Sequence, residues 1–87
     1  MFYVYVLHSD KDGLLYTGAT GDLKKRMEQH NSGRVISTKG RLPVRLVYYE
    51  ACLSQADAFR REKYLKSGPG KRYLKNRLKD SLASLTG

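Results

Sequence analysis

Glu62 is the side chain whose setting most needs a chemical explanation. At about 100° per residue on a helix wheel, Ala58, Phe59 and Leu65 define an apolar stripe. Glu62 falls within it, four residues after Ala58 and three before Leu65. A carboxylate facing a core is costly unless a cation, a metal ion or a hydrogen-bond donor meets it. An ion pair with Arg26 or another basic side chain would meet that need, and so would a functional role. An earlier helical stretch repeats the pattern more weakly: Leu23 and Met27 are apolar, His30 lies seven residues after Leu23 on the same face, and Arg26 sits at its margin. His30 is then either a buried core histidine or a proton carrier beside an anion. Three phenols complete the set. Tyr3 and Tyr5 share one face of an extended segment, opposite Phe2, Val4 and Val6, and Tyr16 lies near Gly18 at the end of a second segment. Each phenol is either a packed ring with a wet hydroxyl or a working group.

Charge narrows the class of ligand. The chain carries 17 Lys+Arg against 8 Asp+Glu, a formal net charge of +9. Residues 60–79 hold nine bases (Arg60, Arg61, Lys63, Lys66, Lys71, Arg72, Lys75, Arg77 and Lys79) and one acid, Glu62, so this segment alone carries +8. A localised field of that kind favours a polyanion such as nucleic acid, because bound Lys and Arg release counterions condensed on phosphates. The alternative is a solvated helix face. Tyr64 and Tyr73 are interleaved among these bases and could stack on nucleobases.

The elements that must position these groups read as α+β in the order ββαβαα, with a small three-stranded mixed or antiparallel sheet flanked by helices. Phe2 to Leu7 is β-branched and aromatic and is followed by the turn cluster Ser9 to Gly13, which predicts a hairpin with Leu14 to Thr17 as the return strand. Gly18 to Asp22 breaks that strand, and Thr20 or Asp22 caps a helix over residues 22–32 that Gly33 stops. Residues 34–42 show no periodicity and read as a loop that could touch a ligand, closed by Pro43 before a strand over 44–50. Ser54 opens a helix over 54–67, and Gly68-Pro69-Gly70 ends it. Leu74, Leu78, Leu82 and Leu85 predict a third amphipathic helix from Lys71 onward. At 87 residues there is room for one domain and no second core.

Several classes drop out. The longest apolar run, Met1 to Leu7, has seven residues, whereas a membrane-spanning helix needs ~20. With no signal-like start, a soluble, unexported protein is expected. The single cysteine, Cys52, excludes an internal disulfide and a Cys-rich zinc cage and fits a reducing, cytoplasmic compartment. No phosphate-cradling GxxxxGK[ST] loop, GxSxG elbow or HExxH pair is present. His8 and Cys52 have nothing to pair them as base and nucleophile and read as structural.

Tyr3-Val4-Tyr5, then Tyr16-Thr17-Gly18, then Arg26 and His30, then Glu62 form an ordered set that resembles the GIY-YIG nuclease family over essentially the whole chain. Tyr3-Val4-Tyr5 stands where the family has GIY, with Tyr3 replacing the leading glycine, and Tyr16-Thr17-Gly18 stands where it has YIG. Arg26, ten residues after Tyr16, fits the family's arginine, and His30 fits the histidine or tyrosine one turn later. Glu62, within Arg60-Arg61-Glu62-Lys63-Tyr64-Leu65-Lys66, fits the metal-binding glutamate. The likeness is greatest to short stand-alone bacterial members related to the excision-repair nuclease domain. Repair-type members carry a lysine just after YIG; Ala19-Thr20 occupy that place here, and a basic residue of the 34–41 loop could substitute. The family's C-terminal asparagine would be Asn76, although it lies across the wheel from Leu74, Leu78 and Leu82.

The resemblance implies a metal-dependent endonuclease that hydrolyses DNA phosphodiester bonds with low sequence specificity, in repair or recombination. One Mg2+ or Mn2+ would be held by Glu62 together with waters and substrate oxygens. Arg26 would grip the scissile phosphate, and Tyr16 would accept or steer the attacking water's proton with Tyr5 hydrogen-bonded alongside. A free phenol has a pKa of ~10, so a phenolic base must lie close to the metal or to Arg26. His30 belongs to the same catalytic set, and Tyr3 stands at its edge. Lys39, Arg41, Arg60, Lys63, Lys66, Lys71, Lys75 and Lys79 would contact duplex or branched DNA, or RNA. The protein would act as a monomer or weak homodimer, away from membranes. Two rivals use the same fold: a non-catalytic nucleic-acid-binding module, and a protein-interaction domain on a ribosome or repair assembly. Intact Tyr5, Tyr16, Arg26 and Glu62 favour the enzyme, since a decayed copy would be expected to lose at least one.

Overall fold

In the computed structural model, which describes residues 1–86, the β-branched and aromatic N-terminal run forms the centre of the sheet. Strands β1 (Phe2–Ser9) and β2 (Leu15–Thr20) make an antiparallel hairpin. Its turn depends on Gly13, whose φ of +72° is left-handed, and on the Ser9 hydroxyl, which accepts from the Lys11 and Asp12 N–H groups at 3.1 and 3.2 Å. Strand β3 (Val44–Cys52) pairs antiparallel with the other side of β1, so the order is β2-β1-β3 and β1 is paired along both edges. Period-two alternation then divides two cores. Val4 and Val6 meet Ala58, Leu65, Leu74 and Leu78 on one face, while Tyr5, Leu7 and Val44 meet Tyr16, Leu23 and Met27 on the other.

Helix α1 (Leu23–Asn31) covers the Tyr5 face, and a single-turn helix α2 (Ile36–Lys39) follows it. Asp22 caps α1, its carboxylate accepting from the Lys25 N–H at 3.1 Å. On the Val4 face lie α3 (Gln55–Lys66), α4 (Gly68–Arg77) and α5 (Lys79–Thr86). The Ser54 hydroxyl caps α3 by accepting from the Asp57 N–H at 3.3 Å. Helix α3 is fastened to β3 by Arg61, whose Nε and Nη2 donate to the two oxygens of Glu50 at 2.9 Å each. Burial alone would raise the pKa of Glu50, but these bonds outweigh it and hold the carboxyl below its ordinary range.

The α+β class and the ββαβαα order stand, with a wholly antiparallel sheet. Several boundaries move. Strand β2 continues through Gly18 to Thr20 rather than stopping at Thr17, because Gly18 pairs with Tyr5 in the ladder. Strand β3 runs on to Cys52. The loop after α1 contains α2, which turns Val35 and Thr38 inward. Gly68-Pro69-Gly70 does not only end one helix before Lys71 but opens α4: Ser67 caps it and Pro69 occupies the first turn, where a missing N–H costs nothing. A Cβ at Gly70 would sit 2.5 Å from the Leu65 Cα, so glycine lets α4 start hard against the end of α3. The C-terminal helix is divided at Leu78. Phe59 is 52% exposed and leaves the apolar stripe of α3 to Ala58 and Leu65. Among the described residues no helix is long and apolar enough to cross a membrane.

Candidate active site

Strand alternation and one turn of α1 bring Tyr5, Tyr16, Arg26 and His30 together on one face of the sheet. Tyr5 and His30 are both fully buried. The Tyr5 hydroxyl lies 2.8 Å from His30 Nε2, and Arg26 Nε donates to the same hydroxyl at 3.3 Å. With Arg26 as donor, the phenol passes its own proton toward Nε2, which must then accept, and His30 Nδ1–H donates to the Thr38 hydroxyl at 2.7 Å. The result is a directed chain from Arg26 through Tyr5 and His30 to Thr38. Tyr16 closes the group, its ring centre 5.3 Å from that of His30 in edge-on contact and 6.4 Å from that of Tyr5.

Glycine at position 18 makes this arrangement possible. Tyr5 and Gly18 are cross-strand partners, and the phenol leans over β2. A Cβ at Gly18 would stand 2.5 Å from the Tyr5 Cζ and closer still to its hydroxyl. Arg26 is steadied from a second side, donating through Nη1 to Gln29 Oε1 at 3.1 Å. The guanidinium is therefore held at Nε by Tyr5 and at Nη1 by Gln29, with the Tyr16 hydroxyl also close enough to act on it.

Electrostatics sorts the roles of these groups. Burial raises the Tyr5 pKa, and the negative charges of ionised Tyr16 and of Glu62 add to it while Arg26 opposes. Tyr5 thus keeps its proton near neutral pH. Burial, with the Arg26 charge added, pushes His30 down to about 4, so the ring is neutral and positions the phenol rather than carrying charge. The hydrogen bond to Tyr5 raises Arg26 further above its already high value. Tyr16 is only partly buried, which leaves it as the phenol that meets solvent.

Glu62 enters from α3, which packs against β1 and β2 from the opposite face. Its carboxylate pairs with the exposed Lys66 at 3.3 Å, one turn on, and not with Arg26. Among the described residues no group of three or more His, Cys, Asp or Glu side chains could hold a metal ion. Glu62 therefore offers a single carboxylate whose ion-pair partner is the exposed head of Lys66. That suits a hard divalent cation, which keeps several waters and takes its remaining oxygens from a phosphate.

The basic residues divide. Lys66, Lys71, Lys75 and Lys79 line one groove of about 870 Å3 that also reaches Tyr16 and Thr17. Arg41 is paired with Asp12 at 2.9 Å, and Arg60 with Asp57. Lys39 on α2 and Lys63 on α3 are exposed, outside that groove. Asn76 is exposed on α4 and does not line the groove. Tyr3 packs on Tyr49, ring centres 6.1 Å apart, in a separate groove beside α1. Tyr64 and Tyr73 flank the Arg61 guanidinium at 5.4 and 5.0 Å, so each ring already has a cation on one face. Thr38 and Gln29 were not singled out by the sequence: Thr38 lies in a segment without periodicity, and Gln29 shows only as a polar residue three after Arg26.

Known proteins extend this picture. A family profile described as the GIY-YIG catalytic domain matches residues 1–80. A UPF0213 protein of Streptococcus agalactiae serotype V is 48% identical over 65 residues, spanning 74% of this chain and 73% of that one. A UPF0213 protein of Clostridium perfringens is 48% identical over 67 residues, spanning 76% and 71%. The solution NMR structure of a UPF0213 protein from Bacillus halodurans is 39% identical and covers 100% of this chain and 87% of that one, with a TM-score of 0.47. With the catalytic-domain profile running over residues 1–80 and relatives at 48% identity, the chain belongs to the GIY-YIG family of nucleases.

Proposed function

We propose that this chain is a divalent-metal-dependent endonuclease that hydrolyses DNA phosphodiester bonds with low sequence specificity, serving repair or recombination. The observation that carries the reading is Arg26. Its guanidinium is fixed by Tyr5 and Gln29 with donors to spare, beside a partly solvent-facing Tyr16. A guanidinium so held binds a phosphate bidentately and offsets the charge that grows on it as the attacking water adds. Tyr16 accepts that water's proton or steers it. Tyr5 stays protonated and, with His30 and Thr38 behind it, fixes Arg26 rather than exchanging a proton. Glu62 would hold the metal, Mg2+ or Mn2+, which when bound neutralises charge on the phosphate oxygens.

Lys66 is suited to two partners. It pairs with Glu62 in the free protein, and it lines the basic groove, so it can pass to a phosphate when the carboxylate is otherwise engaged. The test is a cleavage panel of duplex, branched and single-stranded DNA and of RNA, with Mg2+ or Mn2+ and with chelator. Cleavage of DNA that chelator abolishes is expected. Binding without cleavage of any substrate would leave only a nucleic-acid-binding module, and cleavage confined to RNA would change the substrate.

A further inference from the structure

Arg61 is drawn out of the basic segment that surrounds it and spent on the protein itself. Its Nε and Nη2 donate to the two Glu50 oxygens at 2.9 Å each, and its Cζ lies 5.4 Å from the centre of the Tyr64 ring and 5.0 Å from that of Tyr73. The Tyr48 hydroxyl donates to Glu50 Oε2 at 2.7 Å. Burial and hydrogen bonds with Tyr73 and Glu50 raise the Tyr48 pKa, so this donor keeps its proton. One guanidinium thus ties β3, α3 and α4 together, and a planar fork bonded at two points with ring faces against it fixes an orientation as well as a distance. Helix α3 needs that. Ala58 and Leu65 are the only buried side chains among its twelve described residues, and so narrow a stripe leaves rotation about the helix axis weakly determined.

We infer that Arg61 is a positioning residue for Glu62: its clamp on Glu50 fixes the rotation of α3 and so sets the carboxylate against Tyr5, Tyr16 and Arg26. The inference rests on the nuclease reading, in which Glu62 holds the metal. Glu62 is the next residue, about 100° farther round the helix. With Arg61 turned to β3, Glu62 is turned toward β2, where its partner Lys66 lines the groove that Tyr16 shares. Its charge already acts on Tyr5. The other end of the clamp is tied to the same part of the sheet, because Glu50 is the ladder partner of Val4, the neighbour of Tyr5 in β1. The path from the buried phenol to the carboxylate is therefore short and rigid. At the ~5–6 Å radius of a helical side-chain tip, a rotation of about 10° carries a carboxylate ~1 Å, and a misplacement of ~1 Å can cost ~10²-fold in rate.

The experiment is fluorescence-anisotropy binding of a labelled DNA duplex, first in chelator and then with Ca2+ titrated, a hard cation that takes oxygen ligands. Metal and DNA that share a site strengthen each other, so the wild type should gain affinity with Ca2+ and Glu62→Gln should not. Arg61→Ala and Glu50→Gln should bind as the wild type does in chelator, within about threefold. The Ca2+ concentration that gives half the gain should rise at least about tenfold in both, the low end for groups that orient a metal ligand. Thermal melts establish that each variant is folded at the assay temperature, and Arg61→Lys, which keeps the charge but cannot bond both oxygens in one plane, replaces Arg61→Ala if that variant is not. Glu50→Gln alters no residue of α3, and it separates positioning from DNA contact: an Arg61 that met phosphate would bind DNA more tightly once released from Glu50. Tighter binding of Glu50→Gln in chelator with an unmoved Ca2+ midpoint would overturn the inference. So would wild-type midpoints in the folded variants, which would reduce the clamp to an attachment of the helix. No Ca2+ gain in the wild type, or a full gain in Glu62→Gln, would instead remove the metal role of Glu62 and the inference with it.

Discussion

Gly18→Ala should damage fold and site together, and its size follows from one contact. The added Cβ would stand 2.5 Å from the Tyr5 Cζ and nearer still to the hydroxyl. The neighbour is the far end of a side chain, but it cannot swing away freely, because Tyr5 is fully buried and bonded to His30 and Arg26. Overpacking of this kind costs about 1–3 kcal/mol, and leaving buried His30 Nε2 without its partner costs about 1–3 kcal/mol more. Alanine reduces the freedom of the unfolded chain and returns only about 0.4–1 kcal/mol. A net loss of roughly 1–6 kcal/mol is expected, a large part of the ~5–15 kcal/mol that holds a domain of ordinary stability. For a chain of this length each kcal/mol moves Tm by ~4–8 °C, so Tm should fall by at least ~4 °C, read by circular dichroism. The same substitution in a Tyr5→Leu background, where Cζ and the hydroxyl are gone, should cost much less. If Gly18→Ala melts with the wild type, or costs as much with Leu at position 5, the phenol does not lie over β2 and the account of the site is wrong.

Tyr16→Phe should lower the single-turnover cleavage rate by ~10²- to 10⁴-fold, the range for a lost acid–base group; a change in affinity alone would return Tyr16 to a packed ring. Tyr5→Phe should also slow cleavage, through a misplaced Arg26, and unchanged kinetics would show that the buried chain does not matter to chemistry. Thr38→Val should leave His30 Nδ1 unsatisfied and lower stability by about 1–3 kcal/mol in denaturant unfolding, and no loss would mean that Thr38 is not its partner. Stability should also fall with pH: His30 titrates near 6.5 when unfolded but at about 4 when folded, so below 6.5 only the unfolded state takes up its proton. A contribution on the order of 3 kcal/mol is present above pH ~6.5 and lost as pH drops toward 4. Denaturant unfolding across that window should show the slope in wild type and a flatter one in His30→Gln; equal slopes would refute it.

The sequence made some links legible and hid others for physical reasons. Period-two alternation set Tyr5 opposite Val4 and Val6, and helical spacing put Arg26 and His30 beside each other on α1, whereas the ladder register that brings Tyr16 to the Tyr5 face was not readable. The capping residues Asp22 and Ser54 were readable because their side chains bond backbone three residues on. Thr38 was not, since its partner is eight residues away and its helix is one turn long. Gly68-Pro69-Gly70 has the composition of a linker, yet its glycine is required by the close approach of Leu65, which only the folded chain brings near. The Glu62 stripe position was right about proximity to the core, and of the partners the sequence left open, Arg26 or another basic side chain, the structure selects Lys66, one turn on.

The direct measurement is cleavage of a DNA duplex by Glu62→Gln against wild type, with Mg2+ titrated and binding followed in parallel. The substitution keeps the shape and removes the charge that a hard cation needs. The wild type should cut in proportion to Mg2+ occupancy, while Glu62→Gln should fold, bind the DNA and not cut at any Mg2+ concentration. Cleavage by Glu62→Gln at the wild-type rate, or loss of cleavage only through unfolding, would contradict the assignment of this lone carboxylate as the metal ligand of a GIY-YIG nuclease.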